Sequence, residues 1–420
     1  MSVSHRTLSA VSLASLVALV ACGGSSTSTT DSGTPHDAAT ADTSHPKADA
    51  GSTHDAGHDA RGDSGRDAPQ AIDASAEAEA GPVGEAGGPT EAGKAPKPTG
   101  DASASSTATL FAIHHLWLGD SLPDPTFSPD TAGTAWASFG YNIDGLLTTQ
   151  ASTDVCTLDK AAGATTAKQI DGVNGIDNSF GKNIVPFLAS ALPNLSQQIS
   201  SAITAGSFNV LIGTVGLTSS PTQTNTGLKG SIFNGASYGG PPPVNDAGYF
   251  KPTDEWPIFS GSLHGSLEAG AIEAFPTAYV TDGVWVNGSP GDITLELLLQ
   301  GQPLVLQIHE ALVSFTHTVD ASGQDHATNG FISGVLKTSE LLAQINVVAA
   351  EQDYCAEASL LLNFIAASSD ILHDGTNVKG QVCDGVSIGL AFDADGVAPS
   401  TKVVESVDAA VPKGCVPDAG

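Results

Sequence analysis

From about Thr109 onward, apolar residues alternate with polar ones or gather in short runs, with Gly, Pro, Asn and Asp between the runs. That period of two, broken by turn formers, is the signature of strands. TLFAIHHLWLGD, Thr109 to Asp120, is rich in β-formers and stops at a Gly-Asp turn, which predicts a first strand. AWASFGYNIDGLLTT predicts a second strand-forming region, and SFNVLIGTVGL, AYVTDGVWVNG, NGFISGVLKT and GVSIGLAFDADG predict more. In DITLELLLQGQPLVLQIHEALVSFTHTVD the QGQP step is tight enough for a hairpin.

The period changes from Phe180, where Ile184, Phe187, Leu188, Leu192, Leu195, Ile199 and Ile203 follow at helical spacing. Pro186 and Pro193 should kink or divide that helix, and Gly206 should end it. TSELLAQINVVAAEQ predicts a second helix, with Thr338 or Ser339 as N-cap and Glu340 in its first turn. Seven to ten strands without regularly alternating helices argue against a parallel α/β fold. The expectation is a mainly β body, sandwich-like with a few inserted helices, over residues 108–420.

Two amino-terminal segments precede that body. Leu8 to Ala21 is an apolar run too short to span a bilayer durably. It closes on Leu19-Val20-Ala21-Cys22, and this lipobox resembles a bacterial lipoprotein precursor. The resemblance implies a signal peptide over 1–21 and a Cys22 that carries diacylglycerol on sulfur and becomes the amino terminus. It also implies an outer-membrane destination, because Gly23 stands where an Asp commonly retains lipoproteins at the inner membrane. Several acyl chains hold a protein to lipid without a transmembrane helix. Residues 22–107 are dominated by Ala, Asp, Gly, Ser, Thr and Pro, with no aromatic residue before Thr107. Such a chain cannot bury enough apolar surface to offset its ordering entropy, so a disordered acidic linker is expected.

Charge narrows the partners. Residues 108–420 hold nine lysines, no arginine and 31 acidic residues, a formal −22 before histidine. Phosphate clamps and nucleic-acid backbones call on arginine, so nucleic acid is excluded as a partner. Apart from Cys22 there are Cys156, Cys355, Cys383 and Cys415. An even count in an exported domain points to two disulfides; three pairings are possible and the sequence does not choose among them, with Cys355–Cys383 and Cys156–Cys415 taken as the working expectation.

Candidate chemistry is sparse. QIDGVNGIDNSFGKN, Gln169 to Asn183, gathers side-chain oxygens on Asp171, Asn174, Asp177 and Asn178. Its spacing fails the EF-hand pattern, but an irregular Ca²⁺ site remains open. The competing reading has Asn178 or Ser179 capping a helix, with Asp177 complementing the dipole. Gly235-Ala-Ser237-Tyr-Gly239 matches a nucleophile elbow in letters, yet GPPPV follows where a helix is required. His309-Glu310 lacks the second histidine of a zinc-protease motif. His114 and His115, adjacent in a strand, should face opposite ways.

Tyr238, Tyr249 and Trp256 sit in a long Gly/Pro loop beside amides and carboxylates. They would either stack on a neutral glycan or pin the loop to the body. The expectation is therefore a lipid-anchored exported binding or structural module, with a glycan or protein as ligand. The alternative is a carbohydrate-active hydrolase whose carboxylates come from distant strands.

Overall fold

A computed structural model describes residues 93–190, 192–299, 301–351, 355–405 and 414–415; Cys22, the segment 1–21 and the linker up to residue 92 lie outside them. The body is mainly β. In chain order the strands are β1 (Ala108–Trp117), β2 (Asn209–Val215), β3 (Asn225–Gly235), β4 (Ile258–Phe259), β5 (Glu273–Thr281) and β6 (Val284–Val286). They continue with β7 (Gly291–Leu299), β8 (Gln302–Val319), β9 (Asp325–Lys337), β10 (Gly385–Val397) and β11 (Val403–Val404). The helices are α1 (Val185–Ala189), α2 (Leu195–Thr204), α3 (Thr338–Glu351) and α4 (Cys355–Ala366).

The two packed β layers expected from the sequence are made by one sheet that closes on itself. From β3 the order runs β2, β1, β10, β9, β8, β6 and β5, and β5 then returns to β3 with Leu228 opposite Ala278 and Gly230 opposite Phe275. The result is a closed ring of eight antiparallel strands, which removes the exposed edges that invite aggregation. β7 branches from the first half of β8 through the hairpin at Gly301. Its outer edge is closed by side chains: Asn234 donates to Thr294 O and accepts from Glu296 N, while Glu273 accepts from Thr294 N.

Aromatic side chains fill the barrel. Phe111 and Trp285 each pack about 5 Å from Phe315 (5.1 and 5.0 Å between ring centroids), and Phe392 closes the group at 6.5 Å. Gly230 is required by this packing, since a Cβ there would fall 2.5 Å from the Trp285 ring.

The helical reading of 180–204 holds, with Pro193 dividing it. A wide π-turn over Phe180–Ile184 leads into α1, and α2 follows. Ser196 and Ser200 of α2 accept from the backbone N–H groups of Leu118 and Leu116, supplying the end of β1 with the partners a neighbouring strand would have given. Among the described residues no helix is long and apolar enough to cross a membrane.

Three expectations change and one unanticipated helix is added. AWASFGYNIDGLLTT is not a strand: Ala135–Ser138 is a 3₁₀ turn, and the rest winds over the outer face of the sheet. Asx turns explain this, because Asn142 accepts from Gly145 N and Asp144 accepts from Leu146 N, diverting the backbone from a ladder. The disulfides join Cys156 to Cys383 and Cys355 to Cys415, with Cα separations of 5.3 and 5.2 Å. The working pairing is corrected: a backbone bridge, Thr157 to Val382, lays the Cys156 loop against Cys383. Apolar CAEASLLLNFIA, for which no helix was expected, forms α4.

Last, the linker reading extends to residue 107, but residues 93–107 run as an extended strap on the barrel. Tyr279 Oη donates to Pro96 O, Thr281 Oγ1 donates to Lys97 O at 2.8 Å, and Ser103 N donates to Thr226 O at 2.8 Å.

Candidate functional site

A group of histidines and aspartates lies on the outer face of β1, β10 and β9, beneath the loop that joins β3 to β4. Two β-bulges build it. The β1–β10 register slips between Ile113 and His115, and the β10–β9 register slips between Phe392 and Ala394. A bulge inserts a residue and breaks the alternation of faces. His114 and His115 therefore do not face opposite ways: their rings stack 4.3 Å apart and 6° from parallel. The expectation from strict alternation is corrected. Two parallel imidazoles have no common plane in which one metal ion could accept both lone pairs.

Each imidazole is held by a carboxylate. His115 Nδ1 lies 2.9 Å from Asp393 Oδ1, and His114 Nδ1 lies 2.9 Å from Asp395 Oδ2. Asp395, only 3 % exposed, also accepts from His326 Nδ1 at 3.0 Å and from the backbone N–H of Phe250 at 2.9 Å. A carboxylate can only accept, so each of these Nδ1 atoms donates and the carboxylate orients the ring. The Nε2 of buried His326 makes no hydrogen bond and lies 3.5 Å from Asp320 Oδ2. Hydrogen bonds from Ser322 and Gln324 hold the Asp320 carboxyl down at about 2. In chemical terms the group offers carboxylate-oriented imidazoles, the arrangement of a general base.

The covering loop is clamped to this face. Phe250 stacks on His114 at 4.6 Å, Tyr249 tilts over His326 at 4.5 Å, and Gln324 Nε2 donates to Phe250 O at 2.6 Å. Of the three aromatics singled out in the loop, Trp256 is fully buried against Phe250 and Tyr238. Tyr238 Oη donates to Asp254 Oδ1 at 3.4 Å, and Tyr249 is 40 % exposed. These side chains pin the loop. Ser237 sits after β3, but it donates to Gly206 O and no helix follows it, so no nucleophile elbow forms.

The turn at 169–183 is built as a clasp. Asp171 accepts from Thr148 N, and Asp177 accepts from Ile143 N at 2.7 Å and Asp144 N at 3.3 Å. Asn178 Nδ2 donates to Trp136 O and Gly389 O, while its Oδ1 accepts from Gly389 N and Gly181 N. The Gly181 bond is the expected helix cap. Ser179 instead donates to Ser368 O, and Asp177 serves the neighbouring loop rather than the helix dipole. Asn174 takes a left-handed conformation, φ 58°, with its carbonyl against Gly93 of the strap. Of the oxygens expected for Ca²⁺, one carboxylate oxygen each of Asp171 and Asp177 and the amide oxygen of Asn178 accept from backbone donors. Among the described residues no group of three or more His, Cys, Asp or Glu is placed to hold a metal ion.

Burial pushes the Asp171 and Asp370 carboxyls up from 3.8 to about 7, and Asp144 adds repulsion at both. Burial, followed by the Asp144 charge, raises Asp177 as well. A carboxyl raised in the folded state favours folding while protonated, so this contribution is lost as pH rises from about 4 to about 7. Asp171→Asn, which can still accept from Thr148, should therefore gain stability relative to wild type over that window. The gain should be about 1–2 kcal/mol, discounted for solvent screening of a partly exposed group. Urea midpoints at pH 4, 5.5 and 8 check this; a difference constant with pH would contradict it.

Asp393, Asp395 and His326 were not singled out from sequence. The Asp-Ala-Asp alternation in β10 was a usable signal, since residues two apart share a strand face. Compared with models of known families, with curated proteins and with solved structures, the chain matches none of them.

Proposed function

We propose that this chain is an exported, lipid-anchored envelope protein whose barrel acts as a binding or structural module at the end of an acidic spacer. The observation that carries the reading is cysteine bookkeeping. Four of five cysteines pair with one another in two disulfides, which belong to an oxidising compartment. Each cysteine forms one such bond, so Cys22, at the end of the lipobox, is left over for acylation. Gly23 favours the outer membrane as the destination, and the strap over 93–107 is where the spacer joins the body.

Expression of the full chain with Cys22→Ser tests this. Wild type should sediment with membranes and partition into detergent, and the variant should move to the soluble fraction. Equal membrane association of both would overturn the proposal.

A hydrolytic second reading draws on the carboxylate-oriented imidazoles of His114 and His115 rather than on paired carboxylates. Under it, His115→Gln would abolish turnover of a neutral ester or glycoside by the purified chain. Under the binding reading there is no turnover to abolish.

A further inference from the structure

A hollow of about 470 Å³ lies between α2 and the tip of the β7–β8 hairpin, within the usual range of small-ligand sites. Asn194, Gln197, Gln198 and Ser201 of the α2 segment line one wall at helical spacing, and Ala202 and Leu298 supply apolar floor. Among the described residues no charged one lines it, in a chain of formal charge −30. Gln198 Nε2 is occupied by Pro193 O at 2.8 Å, whereas the side chains of Asn194, Gln197 and Ser201 make no hydrogen bond among the described residues.

The hollow abuts the amino terminus of α2, but that end is already neutralised. Asp120 accepts from Ser196 N at 3.1 Å and from Ser196 Oγ. An anion would meet a carboxylate there, and a cation would find no ionised lining group. What remains is an uncharged ligand with many hydroxyls. A carboxamide presents a donor and an acceptor side by side, as a sugar hydroxyl does, and Leu298 with Ala202 suits the C–H face of a pyranose ring.

We propose that this hollow binds a short segment of a neutral glycan. The inference rests on the reading of the barrel as a binding module. Its test does not involve the anchor, so either proposal can fail without the other.

The probes are maltoheptaose, cellohexaose and a mannan oligosaccharide, with polygalacturonate and a neutral Ala/Ser peptide for comparison. Each is titrated calorimetrically into the detergent-solubilised full chain. At least one neutral oligosaccharide should saturate with Kd of about 1 mM or below. The exposed pair Gln197→Ala/Ser201→Ala should weaken it at least tenfold while leaving the circular dichroism spectrum and Tm unchanged. The proposal is overturned if no neutral oligosaccharide saturates by about 10 mM. Binding untouched by the double substitution, or saturation by the peptide or polygalacturonate instead, would overturn it equally.

Discussion

Asp395→Ala should be among the most destabilising single substitutions in the barrel, by about 3–5 kcal/mol. The carboxylate is buried and accepts from three donors on three segments: His114 on β1, His326 on β9 and Phe250 in the loop between β3 and β4. Truncation leaves three donors without their acceptor in a buried site, and the loop that carries Tyr249 and Phe250 loses its central clamp. Asp395→Asn keeps one acceptor and should cost less. Urea unfolding of both variants checks the order, and proteolysis should cut first between Ala236 and Pro257 in the alanine variant. A cost below about 1 kcal/mol would mean that the hub is not the clamp described here.

Removing the Cys156–Cys383 disulfide by a double alanine substitution should cost more than removing Cys355–Cys415. The first closes a sequence separation of 227 residues and the second one of 60. Loop-closure entropy puts these at about 5 and about 4 kcal/mol. Packing widens the gap, because Cys156 and Cys383 are buried with Leu158 and Leu372, whereas Cys355 is exposed. Denaturant midpoints of the two double variants give the comparison. A smaller loss for Cys156–Cys383 would contradict the account of how the 141–178 loops are held.

These effects also show what was legible beforehand. β1, β2, the strands of AYVTDGVWVNG, the β7–β8 hairpin, β9, β10, α2 and α3 all follow from period and turn chemistry, because their patterns are local. Closure of the ring was not legible, since the β3–β5 contact joins residues that no local signal connects. The stacked His114 and His115 depend on a bulge, and a one-residue insertion into a ladder leaves no mark in a hydropathy pattern. Asn142 and Asp144 overrode strand propensity through hydrogen bonds to their own backbone. Cysteine pairing followed the Thr157–Val382 bridge, which likewise belongs to the folded chain.

The clasp at 169–183 was legible as a helix cap at Asn178. Its larger role was not, because Asp171 and Asp177 reach loops 23 and 34 residues away in sequence. The aromatic loop was legible as an object, while its clamp needed the placement of Asp395.

Intact-mass analysis of the protein extracted from cell membranes tests the central claim most directly. The account predicts a chain that begins at Cys22, carries the added mass of a diacylglycerol group and further acylation, and lacks four hydrogen atoms for its two disulfides. A chain that retains residues 1–21, or one that begins at Cys22 without lipid, would contradict it.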